Sequence, residues 1–212
     1  MDLLVHYDKI SPMVNKIKSV HERVRALILN PAAQWQAIKS ENTTIEDLFK
    51  KYAVFLAVIP AISIFIGSSI IGDEIPLMGA EKVPMVDGLI AAVLCFGFGL
   101  LAVYVVGLAI NYFAHYFEAK ANPIQAMKVA VYCATPFWVS SIFFIYPPLS
   151  FLAIVRWYSV YMGYSALTTL METPKDKVAS YLTLVTICAL VAMLIVDSFV
   201  GRFLMHRLLI GG

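Results

Sequence analysis

Two charged side chains stand where ionic chemistry is expensive. Arg156 directly follows the apolar run FLAIV, and Asp197 directly follows the apolar run AMLIV. If such runs cross a bilayer, a cation at mid-depth costs between ~3 and more than 10 kcal/mol, so it needs a partner, water or a path to the headgroups. We predict a structural ion pair between Arg156 and Asp197. The alternative is a polar site that binds an anion or a lipid headgroup.

A polar stripe ends the second long apolar run of the chain. Asn111, His115 and Glu118 follow Tyr104 and Gly107 at steps of three or four residues, so all of them share one helical face. Such groups are able to hold a metal or relay a proton, but the sequence has no HExxH motif and no matching histidine on another run. We interpret the stripe as a polar cap at a membrane interface, with a metal or proton role as the alternative. No metal and no cofactor are predicted.

The apolar runs themselves set the fold class. The chain has 212 residues, 60% hydrophobic and 14% charged, whereas a soluble domain usually carries about 25% charge. A helix rises about 1.5 Å per residue, so ~20 apolar residues cover the ~30 Å hydrocarbon core of a bilayer. The sequence predicts an all-α, polytopic membrane protein, a bundle of five transmembrane helices. The spans are expected at about 51–71, 86–113, 124–146, 148–170 and 178–203.

Residues 1–50 are polar and basic, and we expect them to form a cytoplasmic arm of amphipathic interfacial helices ahead of the transmembrane domain, 51–212. Asn30-Pro31 separates two short helical patterns, because the residue before a proline avoids the α conformation. Trp35 follows on the apolar face of the second pattern. Tryptophan and lysine on a short helix beside a span are typical of an interfacial anchor, so Trp35 is predicted at headgroup depth. The alternative is a solvated basic segment.

The distribution of lysine and arginine predicts the orientation. Twelve of these residues lie in the arm and in the loops on its side of the predicted spans, against three on the opposite side. Cytoplasmic segments carry such an excess, so the amino end is expected in the cytoplasm. Five spans then place the carboxyl end outside. The three cysteines all lie in apolar runs, where they are expected to act as small hydrophobic residues.

The segment ALILNPAAQWQAIKSE resembles the start of a Yip1-family domain. The family pattern is carried here by Asn30, Pro31, Trp35, Ile38 and Glu41. The segments RWYSVYMGYSAL and TPKDKVA are similar to the family as well, and the resemblance extends over most of the chain. It implies a five-span protein with a cytoplasmic amino end. Eukaryotic relatives work in vesicle traffic and contact prenylated Rab GTPases. This chain lacks a clear Asp-Leu-Tyr-Gly-Pro segment and has a short arm, so it resembles the prokaryotic branch and is expected in a prokaryotic cytoplasmic membrane.

Signatures of soluble enzymes are absent: there is no GxGxxG, no P-loop and no GxSxG. Basic surfaces interleaved with aromatic residues are absent too, so no nucleic-acid partner is expected. We expect a non-catalytic membrane protein of Yip1 type that organises membrane or protein partners, with the bilayer and either a second copy or another membrane protein as partner. The alternative is a transporter or channel for a small solute or ion, using a polar path near Arg156. A transporter predicts a cavity that touches Arg156, whereas an organiser predicts tightly packed spans.

Overall fold

In the computed structural model, which describes residues 17–75 and 79–210, nearly every residue belongs to a helix. The predicted all-α class is confirmed. Helices suit a chain in contact with lipid, because they satisfy their backbone hydrogen bonds internally where lipid offers none. Three parts of the predicted domains lie outside the described residues: 1–16 of the arm, 76–78 between the first two predicted spans, and 211–212 of the tail.

Two short helices form the described part of the arm. Helix α1 covers residues 17–29, and helix α2 covers Pro31–Ser40. Asn30 separates them, and its side-chain oxygen accepts a hydrogen bond from the backbone N–H of Ala33 at 3.3 Å. This asparagine caps α2, and the proline that follows it suits the first helical turn.

Helix α3 covers Ile45–Ile71 and is the first of the long helices. It starts at Thr44, whose hydroxyl accepts a hydrogen bond from the backbone N–H of Asp47 at 3.1 Å. A small antiparallel hairpin follows, made of strands β1, Asp73–Ile75, and β2, Gly79–Glu81. Two stretches of α3 are π-helical, Phe49–Ala53 and Ile66–Ile71.

Four further helical segments complete the chain. Helix α4 covers Met85–Phe117 and ends in a 3-10 turn. Helix α5 covers Pro123–Ile145. Helix α6 covers Tyr158–Leu170 and is preceded by a 3-10 helix, Pro147–Trp157. Helix α7 covers Val178–Ile210.

The number of spans differs from the prediction. Within the described residues, four helices are long and apolar enough to cross a bilayer: Ile45–Ile71, Met85–Phe117, Pro123–Ile145 and Val178–His206. The predicted count of five is therefore wrong by one. The segment predicted as the fourth span, 148–170, is not among them, because Arg156 and its tyrosine and serine residues make it more polar than its neighbours. This segment still packs along α5, from the carboxyl end of that helix back to its amino end.

Helix α5 lies at the centre of the bundle. In its most apolar stretch 56% of the residues are buried, against 11% in α4 and 11% in α7. Helices α3, α4 and α6 pack on α5, while α7 packs on α4 and α6. The outer helices α4 and α7 therefore present most of their surface to lipid, and α5 connects the remaining elements.

Candidate functional site

A cavity of about 580 Å³ lies among helices α3 to α7. Its volume falls in the range of roughly 300–1,000 Å³ that is typical of small-molecule sites. Its wall is largely apolar, and its few hydroxyl groups are spread over several helices. Two charged residues also line it, Arg156 and Asp197. The hydroxyl residues of the wall are Ser63, Ser68, Ser141, Ser159 and Thr186.

Arg156 enters the cavity from the 3-10 helix Pro147–Trp157. A 3-10 helix rises about 2.0 Å per residue, so Arg156 lies ~16 Å along the axis from Pro148, further than an α-helix would place it. The guanidinium carbon lies 4.7 Å from the ring centroid of Phe137 and 4.8 Å from that of Phe144. Its Nε is buried and has no hydrogen-bond partner. The two rings stabilise the positive charge, while the Nε donor has no acceptor within the protein.

Asp197 lines the same cavity from α7, and its side chain is exposed. Among the ion pairs that the described residues form at 4.0 Å or less, none joins Asp197 to Arg156. Ser159, three residues after Arg156, also has a buried hydroxyl with no hydrogen-bond partner. The structure thus brings the predicted pair to one cavity without a direct contact between the two charges.

The cavity reaches the outer surface of the bundle beside α7. Trp157 and Leu190 both line the cavity, yet 54% of Trp157 and 39% of Leu190 are exposed. Both residues belong to the apolar outer surface of the bundle. The wall of the cavity therefore continues onto the outer surface of the bundle at these two residues.

The predicted polar stripe does not assemble into one site. The side-chain oxygen of Asn111 is buried without a hydrogen-bond partner, while His115 is exposed and its ring contacts that of Tyr116 at 4.0 Å between centroids. Glu118 ends α4 in the left-handed conformation and forms an ion pair with Lys177. A search of the described residues finds no group of three His, Cys, Asp or Glu residues able to hold a metal. Of the three residues, Glu118 ends α4 and connects it to Lys177, directly before α7.

Trp35 lies inside the protein and not at the headgroups. Its side chain is fully buried, and its Nε1 donates a hydrogen bond to Ser165 Oγ at 2.9 Å. Its ring also packs edge-on against Tyr132, with 6.4 Å between the centroids. The indole therefore fastens α2 to α5 and α6, in place of the headgroup contact that its sequence context predicted.

Lys128 is a functional candidate that the sequence reasoning missed. It is fully buried, and its Nζ donates hydrogen bonds to the backbone oxygens of Ile38 at 2.6 Å and Glu41 at 2.8 Å. Gln125 adds a bond from its Nε2 to the backbone oxygen of Lys39 at 3.0 Å. A cation at the carboxyl end of α2 satisfies free carbonyls and opposes the negative end of the helix dipole. The signal in the sequence was a lysine inside an apolar run.

Helix α2 lies lengthwise along α6, and the end of α1 contacts the start of α6. The contacts follow the same order along both segments: Ile28 with Tyr158, Trp35 with Ser165, and Lys39 with Glu172. The first is a hydrogen bond from the Tyr158 hydroxyl to the Ile28 carbonyl at 2.9 Å, which closes the end of α1 as Lys128 closes the end of α2. Within the arm, Arg23 of α1 forms an ion pair at 2.6 Å with Glu41, which follows α2.

Glu172 gives this docking a titratable group. Its carboxylate lies 2.8 Å from Lys39 Nζ and 3.7 Å from Lys120 Nζ. The hydrogen bond from Lys39 and the positive charge of Lys120 lower the pKa of Glu172. Because Glu172 is exposed, solvent weakens these interactions, and the pair contributes more to the position of the arm than to stability.

Comparison with known proteins places the chain in a family. The family model described as the Yip1 domain matches residues 25–196. The chain belongs to the Yip1 family. The Inner membrane protein YohC of Escherichia coli strain K12 is 29% identical over 162 residues, which cover 74% of this chain and 83% of that relative. The protein of the same name from Escherichia coli O6:H1 strain CFT073 matches with the same identity and coverage. No solved structure gives a significant match to the chain.

The Yip1 match covers both the docked arm and the membrane helices. It begins inside α1 and ends in α7, so the arm helices and the membrane helices belong to one family domain. Arg156 lies within the matched residues, whereas Asp197 lies directly beyond them. The bacterial relatives support the prokaryotic branch, and the apolar helices fit an integral membrane protein.

Proposed function

We propose that this Yip1-family protein is a non-catalytic transporter or channel that binds a small solute in the cavity at Arg156. The observation that carries the proposal is the cavity of about 580 Å³ with an arginine whose Nε has no partner. A charged group inside a membrane protein faces a functional cavity more often than lipid, because lipid cannot solvate it. A cavity that touches Arg156 is expected of a transporter, whereas tightly packed spans are expected of a protein that organises partners.

Organising partners through the arm and through small-residue faces has less support from the geometry. Three apolar residues of the arm, Leu27, Trp35 and Ile38, are fully buried, whereas Ile17 and Leu29 are exposed. Small residues also face inward: a Cβ on Gly67 would lie 2.7 Å from the Phe144 carbonyl oxygen, and one on Gly163 would lie 2.8 Å from the Leu182 side chain. These surfaces serve the packing of this chain, so they are not free to receive another protein.

Flux into liposomes tests the proposal. The purified full chain is reconstituted, and uptake is measured for a panel of small anions, cations and zwitterions. Arg156→Ala removes a charged donor, so uptake of the transported solute should fall at least about tenfold. Arg202→Ala is the matched control, because Arg202 is an exposed arginine on α7. Equal uptake by the Arg156→Ala variant and the unmodified chain, or no uptake of any panel member, contradicts the proposal.

We also infer that the amino end faces the cytoplasm and that the carboxyl end lies outside. Twelve lysine and arginine residues lie on the side of the arm and three on the opposite side, which supports a cytoplasmic amino end. The four long apolar helices alone would return the carboxyl end to the cytoplasm. Segment 147–170 also runs back along the length of α5, and this fifth passage, more polar than the other four, supports the second part. If the carboxyl end lies outside, alkaline phosphatase fused after residue 212 should be active, and green fluorescent protein fused at the same position should not fluoresce. The reverse pattern contradicts the orientation.

A further inference from the structure

We propose that the ligand of the cavity is an amphiphile with a zwitterionic headgroup, whose phosphate contacts Arg156 and whose primary ammonium contacts Asp197. This inference rests on the proposed function and names the ligand class of the same site. The juxtaposition that carries it is Arg156, whose buried Nε has no hydrogen-bond partner, and Asp197, both of which line one largely apolar cavity whose wall includes the exposed residues Trp157 and Leu190.

The charges of the site select against a ligand with net charge. Arg156 and Asp197 line one cavity, and among the described ion pairs none joins them. Each isolated charge in a medium of low dielectric constant is costly. A ligand with opposite charges at its two ends neutralises both residues, whereas Asp197 repels a purely anionic ligand and Arg156 repels a purely cationic one.

The surroundings of Arg156 favour a phosphate over a smaller anion. The rings of Phe137 and Phe144 lie within 4.8 Å of the guanidinium carbon and hold it in place. A planar guanidinium donates two parallel hydrogen bonds to phosphate oxygens, and it keeps its charge in an apolar setting. The unpartnered hydroxyl of Ser159 lies one turn further along the helix and supplies a third donor.

The apolar wall and the lateral opening favour an amphiphile over a water-soluble zwitterion. Besides its two charged residues and a few hydroxyls, the cavity is lined by apolar side chains from all five surrounding helical segments. The exposed lining residues Trp157 and Leu190 mark where acyl chains leave the cavity for the bilayer. A headgroup alone would leave this wall uncovered, whereas acyl chains bury it.

Native mass spectrometry of the purified full chain tests the ligand class. The protein in detergent is mixed with equal amounts of phosphatidylethanolamine, phosphatidylcholine and phosphatidylglycerol that carry the same acyl chains. We expect one retained phosphatidylethanolamine per chain, favoured at least about tenfold over phosphatidylglycerol. Phosphatidylcholine should be retained several-fold less, because its quaternary ammonium has no N–H to donate to Asp197.

Two charge-removing variants separate the two contacts. Arg156→Gln should lose retention of phosphatidylethanolamine at least about tenfold. Asp197→Asn removes the repulsion of an anionic lipid, so the preference should shift toward phosphatidylglycerol. Arg202→Gln is the control and should retain lipid as the unmodified chain does. Size-exclusion chromatography and circular dichroism establish that each variant is folded.

Competition with glycerophosphoethanolamine, a phosphodiester with the same charges as the lipid headgroup, distinguishes a lipid from a soluble ligand. If the lipid is the ligand, millimolar soluble headgroup leaves the bound lipid in place. If the soluble headgroup displaces the lipid at concentrations well below millimolar, the proposal that the ligand is an amphiphile is overturned. Equal retention of the three lipids, or unchanged selectivity in Asp197→Asn, overturns the zwitterionic site. If liposome flux persists in that case, the proposed function stands without this ligand class; the absence of any flux overturns the proposed function separately.

Discussion

Lys128 offers the sharpest test of how the arm is attached. Methionine has a side chain of similar length to lysine but no Nζ. Lys128→Met therefore removes the hydrogen bonds to the backbone oxygens of Ile38 and Glu41, at 2.6 and 2.8 Å. Hydrogen bonds from a charged donor contribute roughly 1.5–3 kcal/mol each, and removal of the buried cation offsets part of that loss. The Ile38 carbonyl also keeps its 3.3 Å bond from the Glu41 N–H. We therefore expect the docked arm to lose about 2 kcal/mol, or roughly 30-fold in its docking equilibrium.

Hydrogen exchange measured by mass spectrometry reports this loss directly. In Lys128→Met the backbone amides of α1 and α2 should exchange up to about 30-fold faster, while those of α4 should not change. Lys175→Met is the matched control, because Lys175 is exposed in the loop before α7. Unchanged protection of α2 in Lys128→Met, or equal acceleration in the control, would refute the argument that this buried cation holds the arm.

Two further predictions concern helix packing and pH. Gly67→Ala places a Cβ 2.7 Å from the Phe144 carbonyl oxygen and should lower the free energy of unfolding by about 1–3 kcal/mol. A Cβ at Gly97 would have no atom within 4 Å, so Gly97→Ala should be neutral or stabilising by up to about 1 kcal/mol. Thermal unfolding in detergent compares the two variants. Because the pKa of Glu172 is lowered, its contact with Lys39 is complete above the ordinary glutamate pKa and is lost as the pH falls through the lowered value. Protection of α2 from exchange should therefore decrease on acidification, and Glu172→Gln should remove that dependence.

The long helices were predictable because their information is local. Uninterrupted apolar runs specify a membrane helix wherever they occur, so four of the five predicted spans coincide with long apolar helices. The break at Asn30-Pro31 was equally local, since it depends on the geometry of the proline itself. The segment 148–170 was the exception. Arg156 and the tyrosine and serine residues lower the mean hydropathy of this segment below that of the four long helices, and its first part is a 3-10 helix.

The docking of the arm was not predictable because its contacts join distant parts of the chain. Trp35 and Ser165 are 130 residues apart, and Lys128 lies 90 residues from Ile38. A tryptophan on a short amphipathic helix has the same local pattern whether it faces headgroups or another helix. A lysine near the start of a span was likewise counted as a flanking charge, although it is fully buried.

The candidate site was predictable in part. An arginine and an aspartate inside apolar runs are rare, so their sequence positions alone identified Arg156 and Asp197. The rings of Phe137 and Phe144 around Arg156, and the space between the two charges, depend on how five segments pack together. The local sequence pattern does not determine that packing, so it could not distinguish an ion pair from an open cavity.

An experimental structure of the full chain in nanodiscs of native lipid, with a bound antibody fragment, tests the central claim most directly. The account predicts an open cavity among α3 to α7 that contains non-protein density within hydrogen-bond distance of the Arg156 guanidinium. A closed bundle in which Arg156 bonds directly to Asp197, with no space between the helices, would contradict it.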